Sequence, residues 1–418
     1  YSVFTNKILV KIDVNCIFNL YFCPDFLTTN FKIYNMSNDI RIKKGLDIKL
    51  KGAAEKTLEK AVLSNFYTLR PEDFHGVTPK LISKVGNKVK AGEPVFYDKS
   101  NENVKFVSPI AGEIIEIARG EKRRILSIKL QASSEQTYQD NGVFDLNTAQ
   151  PEVIKAHLLA AGCWPFVKQR PYDVIADPNR TPKGIFISGY ASAPLAADLD
   201  FTLKGKEAAL QAAVTALGKL TTGKVHVSVG ASANSPLAGL SGIALHKVSG
   251  PHPSGNVGTL INKIDPVNKG EVVWTVAAQD LVIIGELLLT GKFNAERVVA
   301  LVGSSIEKPR YFTTKIGSEI STIIYDHGIA KNAHVRIISG NVLSGMQIQP
   351  DGYLDYYSNT ITVIPEGDDY ELFGWTMPVF NKVSTSRALT FSWLNPNKQY
   401  DLNTNTNGEH RAFVVTGS

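Results

Sequence analysis

Two short segments of the sequence combine aromatic side chains with an Arg-Pro pair, and the two segments echo each other. Aromatic faces can stack on a planar ring, and an arginine can donate hydrogen bonds to a carbonyl oxygen. The pattern therefore indicates a candidate site for a flat ring that carries carbonyl groups. The alternative is that the aromatics belong to the core and the arginines are partners in structural ion pairs. The candidates are Phe66, Tyr67 and Arg70 in FYTLRPEDF, and Trp164, Phe166, Arg170 and Tyr172 in WPFVKQRPYD.

A lysine is the second candidate for chemistry. The stretch VGNKVKAGEPVFYDKSNENVKFVSPIAGEI, Val85 to Ile114, resembles domains that carry biotin or lipoate on a lysine at a hairpin tip. Lys99, in YDKSNEN, lies near the predicted tip. Biotin acceptors show a Met-Lys-Met tip and lipoyl acceptors an acidic-Thr-Asp-Lys-Ala tip, and neither occurs here. We therefore expect the fold of a carrier domain without its covalent arm, with modification of Lys99 as the alternative.

No residue set predicts a metal site, a nucleotide site or a catalytic centre. Three cysteines cannot supply the four thiolates of an iron–sulfur cluster or a disulfide framework. His246 and His252 flank Pro251 without the spacing of metal ligands on a helix, and we expect structural or solvated imidazoles. The sequence contains neither G-x-G-x-x-G nor a Walker loop. The nearest approach, SGNVG at residues 254–258, is predicted to be a turn.

The composition excludes several classes of protein. The net charge of +6 is mild and its basic residues are scattered, so no nucleic-acid partner is predicted. No run of about 18 apolar residues occurs, so no membrane-spanning helix is predicted. The most apolar passage, VVWTVAAQDLVIIGELLLTG, is interrupted by Gln279, Asp280 and Glu286. It predicts a strand followed by a helix buried in the core.

The elements that must position these candidates change in type along the chain. Short alternating segments separated by turns predict a small β structure, with Gly86, Gly92 and Gly112 at turns that need positive φ. Strands then alternate with helical patterns from about residue 150 to 305, which favours a parallel sheet. A passage of strand, helix and strand follows, KPRYFTTKIGSEISTIIYDHGIAKNAHVRIISGNVLSGMQI. It is typical of a compact α+β module of ubiquitin-like type.

The predicted fold class is thus α/β and α+β multidomain: a biotinyl/lipoyl-like β-barrel, a Rossmann-like α/β domain and a ubiquitin-like module. The first 35 residues lack Gly, Ala, Glu and Arg and have the composition that AT-rich DNA encodes, so we interpret them as a non-native upstream extension before a natural start at Met36. The alternative is a genuine strand-rich extension. The predicted segments are 1–35 for this extension, 36–149 for the β domain, 150–308 for the α/β domain, 309–365 for the ubiquitin-like module, and 366–418 for a β-rich tail.

Five blocks of the sequence point to one family. They are IKKGLDIKLKG, VSPIAGEI, SGPHPSGNVGT, VRIISGNVLSG and ELFGWTMP. Their order closely resembles the A-subunit of the Na⁺-translocating NADH:quinone reductase, from Asp39 to Thr416. Under this resemblance the third module is of SLBB type. The family continues with a helical domain beyond Gly417, so the resemblance implies a chain truncated at its C-terminus.

The resemblance implies a peripheral subunit on the cytoplasmic face of the bacterial inner membrane. Its partners would be the other subunits, especially the membrane-embedded B-subunit, and a quinone. Members of this A-subunit family carry no tightly bound redox cofactor, so no independent catalysis is expected from the chain. The complex would move electrons from NADH to a quinone and export sodium.

Two departures from flavin-binding relatives agree with the absence of a cofactor. Those relatives have a Gly-Gly-Ala-Gly-Phe-Pro-Thr loop, whereas the matching stretch here places Trp164, Pro165 and Phe166 in that space. They also have a Glu-x-Glu-Pro turn, where this sequence has ASAP with Ala191 and Ala193. The resemblance therefore leaves two roles for the chain: binding of the quinone headgroup by the seven candidates above, or docking onto membrane subunits. A biotin- or lipoate-carrying enzyme domain modified at Lys99 is the alternative.

Overall fold

A computed structural model of the chain describes residues 38–61, 63–232, 234–329, 334–367, 394 and 397–405. The predicted extension at 1–35 and most of the predicted tail at 366–418 lie outside the described residues. The described chain begins with two strands, β1 (Asn38–Arg41) and β2 (Glu55–Lys60). Each of them joins a sheet that later parts of the chain complete.

The next part of the chain is a sandwich of two antiparallel sheets. Its strands are β3 (Phe66–Leu69), β4 (Pro79–Leu81), β5 (Lys88–Val89), β6 (Pro94–Asp98), β7 (Asn101–Val107), β8 (Gly112–Arg119) and β9 (Ile125–Ala132). One sheet has the order β3-β9-β8-β5 and the other β4-β6-β7. Between them Phe96 and Phe106 stack with ring centroids 4.4 Å apart and 8° between the ring planes. The predicted barrel-like β domain is therefore present.

Glycines shape this sandwich for two different reasons. Gly86 and Gly92 have φ of +87° and +86°, as the turn prediction requires. Gly112 does not have positive φ, so that expectation was wrong for this residue. A Cβ on Gly112 would lie 2.2 Å from the carbonyl oxygen of Gln131 on β9. Gly112 is therefore required by the close approach of the paired strands β8 and β9.

A seven-stranded sheet with helices follows, as the alternating pattern predicts. Its order is β1-β14-β13-β12-β15-β10-β11, and the five strands from β1 to β15 are parallel. Only β10 and β11 at one edge are antiparallel. The elements are α1 (Pro151–Ala160), β10 (Lys168–Arg170), β11 (Val174–Ile175), β12 (Ile185–Ser188), α2 (Leu199–Thr202), α3 (Glu207–Gly218), β13 (Val225–Gly230), β14 (Ile243–Ser249), α4 (Val257–Ile264), β15 (Val273–Ala277) and α5 (Ala278–Thr290).

The direction of the chain through this sheet reverses at β12. From β12 the chain proceeds to β13 and β14 on one side, and β15 then lies on the other side of β12. The chain leaves β12 toward β13 on one side, and the neighbour on the other side, β15, is reached only after β14, so a crevice opens outside the carboxyl ends of β12 and β15. Ligands of open α/β sheets bind at such a point, so the topology alone marks a candidate site.

The helix α5 is fixed against α3 by a backbone contact. A Cβ on Gly285 would lie 1.9 Å from the carbonyl oxygen of Ala209, so only glycine permits this approach. The helix ends at Gly291, whose φ of +71° is typical of a left-handed C-terminal cap. The predicted strand and buried helix in the most apolar passage are thus confirmed, and the N-terminus of α5 is placed beside the crevice.

The third module, in its described residues, is a mixed six-stranded sheet with one short helix. Its order is β19-β18-β20-β16-β17-β2. The elements are β16 (Glu296–Val302), β17 (Arg310–Lys315), α6 (Ser321–Tyr325), β18 (Val335–Ser339), β19 (Met346–Ile348) and β20 (Thr360–Pro365). The strand–helix–strand pattern predicted here is confirmed, and so is the fold class of β, α/β and α+β modules.

The modules share strands and core across the predicted boundaries. The strand β1 pairs with β14, and β2 pairs with β17, although both precede the sandwich in sequence. The predicted boundary at residue 308 falls between β16 and β17, which pair with each other. One hydrophobic cluster runs from Phe96 in the sandwich to Leu281 in α5. Within the described ranges, none of the helices has the length and apolar character needed to cross a membrane.

Two histidines lie side by side on adjacent strands of the parallel sheet. Nδ1 of His226 and Nε2 of His246 are 3.1 Å apart, and Phe186 stacks on His226 with centroids 4.7 Å apart. Burial, and then the charge of His246, lower the pKa of His226 to about 4. Burial also lowers the pKa of His246. The pair is therefore neutral in the folded chain at physiological pH.

We expect this pair to make the chain less stable in mild acid. The unfolded His226 binds a proton below its ordinary pKa of about 6.5, whereas the folded chain resists that proton until about pH 4. Stability is therefore complete above about pH 6.5 and is lost as the pH falls toward 4. Replacement of His226 by Gln should reduce the slope of unfolding free energy against pH by up to one proton, about 1.4 kcal/mol per pH unit. Urea unfolding across this range measures it, and equal slopes in both proteins would contradict it.

Candidate functional site

A cavity of about 590 Å³ lies at the crevice between β12 and β15. Ser188, the last residue of β12, and Thr275 to Ala277, the last residues of β15, line one side of it. The cavity thus occupies the carboxyl edge of the sheet at the point where the strand order reverses. Its volume lies within the range of small-molecule sites, roughly 300–1,000 Å³.

Aromatic side chains from two modules form a wall of this cavity. Phe166 comes from the short 3₁₀ helix that precedes β10, and Tyr357 comes from the loop that precedes β20. The phenol of Tyr357 donates to the carbonyl oxygen of Pro165 over 2.8 Å. Burial raises the pKa of Tyr357 well above its usual value, so the phenol remains protonated. The third module is therefore locked onto the α/β module at the cavity itself.

Two cations on β10 face the same cavity. Lys168 and Arg170 are two residues apart on a strand, so both side chains lie on one face of the sheet. The Nζ of Lys168 lies 3.7 Å from the centroid of the Tyr357 ring. Arg170 pairs with Asp173 over 3.3 Å, while its buried Nε has no hydrogen-bond partner among the described residues. Hydrogen-bond donors therefore line the cavity beside its aromatic wall.

The opposite side of the cavity is the turn before α4, which the sequence analysis predicted in SGNVG. The turn is present at Ser254 and Gly255, but α4 begins at Val257 within the same motif. Gly255 is held on both sides, because its N–H donates to the hydroxyl of Ser192 (2.8 Å) and its carbonyl accepts from Ser188 (2.8 Å). His252, expected to be structural or solvated, lies with its Nδ1 3.1 Å from the same Ser192 hydroxyl.

A buried ion pair lies behind the cavity. Asp280, in the first turn of α5, lines the cavity and pairs with Arg297 of β16 over 2.5 Å. Both side chains are only 2% exposed. Burial raises the pKa of Asp280, while the guanidinium of Arg297 acts in the opposite direction. Arg297 also donates to the carbonyl oxygen of Tyr357 over 3.0 Å, so this pair helps to hold the aromatic wall.

Only two of the seven candidates predicted from the sequence line the cavity, Phe166 and Arg170. Trp164 is fully buried, donates from Nε1 to the carbonyl of Ala176 over 2.7 Å, and packs edge-on against Trp274. Tyr172 is 74% exposed and lies outside the cavity lining. Lys168, Tyr357 and Asp280 also line the cavity, and none of them was predicted as a site residue from the sequence.

The first predicted segment lies in the sandwich, away from the cavity lining. Phe66 is covered by Lys129, whose Nζ is 4.6 Å from the ring centroid. Tyr67 is 1% exposed, and burial raises its pKa to about 12. Arg70 pairs with Asp73 over 3.0 Å. The two echoing segments therefore both place an arginine on an aspartate three residues later, but only the second segment reaches the cavity.

The two segments nevertheless meet through one tyrosine. Tyr356 packs against Phe74 of the first segment at 4.7 Å and against Phe166 of the second at 5.2 Å between ring centroids. The backbone N–H of Tyr356 also donates to Asp73 over 3.0 Å. Burial raises the pKa of Asp73 to about 6. The first segment thus supports the residue next to Tyr357 in the wall.

The carrier candidate Lys99 lies at the turn between β6 and β7, and it is exposed as a carrier lysine must be. Its backbone N–H donates to the carbonyl of Thr78 over 2.8 Å. The carboxylate of Asp98 accepts hydrogen bonds from Thr78 and Ser100 and so fixes the turn. Among the residues that the structure describes, no group of three or more His, Cys, Asp or Glu side chains could hold a metal ion.

Residues at the two departures from flavin-binding relatives are both placed. Trp164, Pro165 and Phe166 form a buried 3₁₀ helix. Ala191 and Ala193 lie in the loop that follows β12, on either side of the Ser192 that holds the turn before α4. Of these residues Phe166 lines the cavity, whereas Ala191 and Ala193 flank Ser192, whose hydroxyl accepts from the lining residue Gly255.

Comparisons with known proteins cover all three modules. Family models match for the NqrA N-terminal barrel-sandwich hybrid domain at residues 40–133, the NqrA second alpha/beta domain at 149–293 and the NQRA C-terminal domain at 298–349. These matches agree with the predicted fold class. The A-subunit of the Na(+)-translocating NADH-quinone reductase of Serratia proteamaculans is 35% identical over 384 residues, 91% of this chain and 85% of that protein. The protein of the same name from Neisseria meningitidis serogroup A is 36% identical over 382 residues, with the same coverage.

Among solved structures, an NAD⁺-reducing NiFe-hydrogenase in the air-oxidized state is similar with a TM-score of 0.36 and 12% identity. The match covers 55% of this chain and 52% of that chain. This likeness is too low to support any inference about the chain.

We expect the buried ion pair behind the cavity to be costly to break from one side. Replacement of Arg297 by Met leaves the Asp280 carboxylate buried without its partner and should cost about 3–5 kcal/mol of unfolding free energy. The double replacement Asp280→Leu with Arg297→Met should recover most of that loss, because no charge then remains buried. Urea unfolding of the three proteins measures both effects.

A matched control lies on the same helix. Glu286 of α5 pairs with Lys206 over 2.8 Å, but these side chains are 21% and 35% exposed. Replacement of Lys206 by Met should therefore cost at most about 1 kcal/mol. A similar cost for the Arg297 and Lys206 variants would show that burial does not set the strength of the Asp280 pair.

Proposed function

The chain belongs to the A-subunit family of the Na⁺-translocating NADH-quinone reductase, and from this premise we propose that it binds the headgroup of a quinone in the cavity between β12 and β15. As the A-subunit of such a complex, the chain is part of an oxidoreductase and has other subunits as partners. We further propose that it is peripheral, on the cytoplasmic face of the bacterial inner membrane, and docks on the membrane-embedded B-subunit.

The observation that carries the quinone proposal is the pairing of an aromatic wall with donors in one cavity. A quinone ring is planar and apolar on both faces, and its two carbonyl oxygens accept hydrogen bonds. The half-buried Tyr357 offers a surface for the ring, backed by Phe166, which is itself stacked against Tyr356 and Phe293. Lys168 and Arg170 offer donors for one carbonyl oxygen. On the other side, the hydroxyls of Ser188 and Thr275 line the same space. The cavity therefore matches both requirements of a quinone site.

We propose that the chain binds no redox cofactor tightly, so the electrons for the quinone come from partner subunits. The buried 3₁₀ helix of Trp164 to Phe166 supports this, because its side chains occupy core space rather than forming a glycine-rich cradle. The contribution of this chain is then to bind and orient the ring. Lys168 and Arg170 also stabilise negative charge that develops on the quinone oxygen as it is reduced.

Binding of a short-tailed quinone should depend on the two cations of β10. Calorimetric titration of the full chain should give saturable binding, and Arg170→Ala and Lys168→Met should each weaken it about tenfold or more, as expected for loss of a charged donor of roughly 1.5–3 kcal/mol. Tyr172→Ala is the matched control, because Tyr172 is two residues from Arg170 but 74% exposed and outside the lining.

Two results would overturn the quinone site. The first is absence of quinone binding by a chain whose unfolding is cooperative. The second is equal weakening by the Tyr172 variant and the Arg170 variant, which would place the effect in the loop rather than in the cavity. Arg70→Ala, in the echoing segment of the sandwich, should retain quinone binding. This result would assign the site to the second predicted segment and not to the first.

The alternative function, a carrier domain modified at Lys99, has an exposed lysine at a hairpin turn in its favour. We expect the peptide that contains Lys99, from the chain isolated from its native host, to have its unmodified mass. Intact-mass spectrometry followed by peptide mapping measures this directly. A biotin or lipoate adduct that disappears in Lys99→Arg would establish the carrier function instead.

A further inference from the structure

The hairpin between β8 and β9 ends in a cluster of cations. The tip comprises residues 120–124, between Arg119 and Ile125, which are the last paired residues of the two strands. Four of the six residues from 119 to 124 are basic, and one is acidic. The cations are Arg119, Lys122, Arg123 and Arg124, and all four are exposed. None of the four has a carboxylate within 4.0 Å among the described residues, so their charge is not neutralised locally.

The tip projects from the sandwich on a ribbon of two strands. The pairing of β9 with β3 ends at Ile128, and the pairing of β8 with β5 ends at Glu113. Beyond those residues β8 and β9 pair only with each other. Ile125, in the last pair before the tip, is 8% exposed and packs into the core, so the end of the ribbon next to the tip is anchored. The orientation of the tip relative to the sandwich is thereby fixed.

The backbone holds the tip in one shape. The N–H of Gly120 donates to the carbonyl of Arg124 over 2.9 Å and closes the loop. Lys122 and Arg123 have φ of 53° and 61°, a left-handed conformation that costs roughly 1 kcal/mol or more for each non-glycine residue. The guanidinium of Arg119 donates to the carbonyl of Arg123 over 3.2 Å. Two consecutive residues with positive φ are typical of the type I′ turn, whose twist matches that of the paired strands, so the loop has a defined shape.

A single apolar side chain accompanies the cations. Leu126 is 39% exposed, directly after the anchoring Ile125. Exposed cations next to an exposed leucine at a hairpin tip match the interface of an anionic bilayer, where phosphate groups lie above acyl chains. A folded acidic protein would instead require a complementary surface of some area, and the tip offers five loop residues and one leucine. The chemistry therefore favours lipid over a protein partner.

We propose that the β8–β9 tip binds the surface of an anionic lipid bilayer through Arg119, Lys122, Arg123 and Arg124, with Leu126 at the level of the headgroups. The inference deepens the peripheral location proposed above and is independent of quinone binding. The tip would fix which side of the sandwich faces the membrane. Each cation near an anionic surface adds roughly fivefold to the partition of the chain.

Sedimentation with vesicles tests the proposal on the full chain in the absence of quinone. The wild-type chain should bind vesicles of phosphatidylcholine mixed with phosphatidylglycerol and should not bind pure phosphatidylcholine. The triple variant Lys122→Gln, Arg123→Gln, Arg124→Gln should lose at least about tenfold in partition. Its charge-matched control is Lys247→Gln, Lys263→Gln, Lys269→Gln, which removes three exposed cations from the α/β module and should bind as the wild type does.

A conservative variant distinguishes a membrane from a structured partner site. Arg123→Lys with Arg124→Lys keeps the charge but not the guanidinium fork, and it should retain binding, because a fluid anionic surface requires charge and not fixed geometry. Inorganic phosphate should displace the chain no better than chloride does at equal ionic strength.

Three outcomes would overturn the proposal: equal binding by the tip and control variants, loss of binding in the lysine variant, or displacement by inorganic phosphate in excess of the ionic-strength effect. The last would indicate a discrete phosphate site. Thermal unfolding of each variant verifies that the chain is folded. Failure of the quinone titration would leave these measurements unaffected.

Discussion

The ion pair of Asp280 with Arg297 is the interaction on which the architecture around the cavity depends. It joins the first turn of α5, in the parallel sheet module, to β16 of the third module, and Arg297 also holds the backbone of Tyr357. A buried ion pair contributes little net stability, because desolvation of two charges offsets most of their attraction. Its effect is on geometry. Any arrangement of the two modules that separates the charges leaves one of them buried and alone, so the alternatives are strongly disfavoured.

The cavity therefore has two physical origins that act together. The reversal of strand order at β12 opens a crevice in the α/β module, as in any open parallel sheet. The third module then contributes Tyr357 as a wall, which the bond to Pro165 and the contacts of Tyr356 with Phe74 and Phe166 hold in place. A generic crevice thus becomes a site with an aromatic face, because long-range contacts bring a loop of the third module over the carboxyl edge of the sheet.

The sequence predicts the local elements well because their patterns are local. The alternation of strands and helices indicates the parallel sheet, and the interrupted apolar passage indicates β15 and α5. The sequence did not indicate that β1 and β2 pair outside the sandwich, because the partner strands of both lie some 200 residues or more further along the chain. The role of Gly112 was also misread, since the clash that requires glycine involves Gln131 on the paired strand. Pairings at such sequence separation leave no periodic signal in a single sequence.

In the candidate site, too, local features could be predicted from the sequence and long-range contacts could not. The echo of FYTLRPEDF and WPFVKQRPYD extends to one contact, because each arginine pairs with the aspartate three residues later. The backbones differ, since Pro71 begins a 3₁₀ helix whereas the peptide bond before Pro171 is cis. Local sequence therefore encodes the ion pair, but it does not encode which segment faces a cavity. That is decided by the sheet edge to which β10 pairs, and by Tyr357, which is distant from Arg170 in sequence. One feature of the sequence did indicate the site. Only Gln169 separates Lys168 from Arg170, so in a strand the two cations must lie on the same face. A strand with two cations on one face before a tight turn therefore predicts a binding site, even when the element that packs against that face is unknown. Two neighbouring charges of one sign repel each other, so a hydrogen-bond acceptor or anion from another element is favoured beside them.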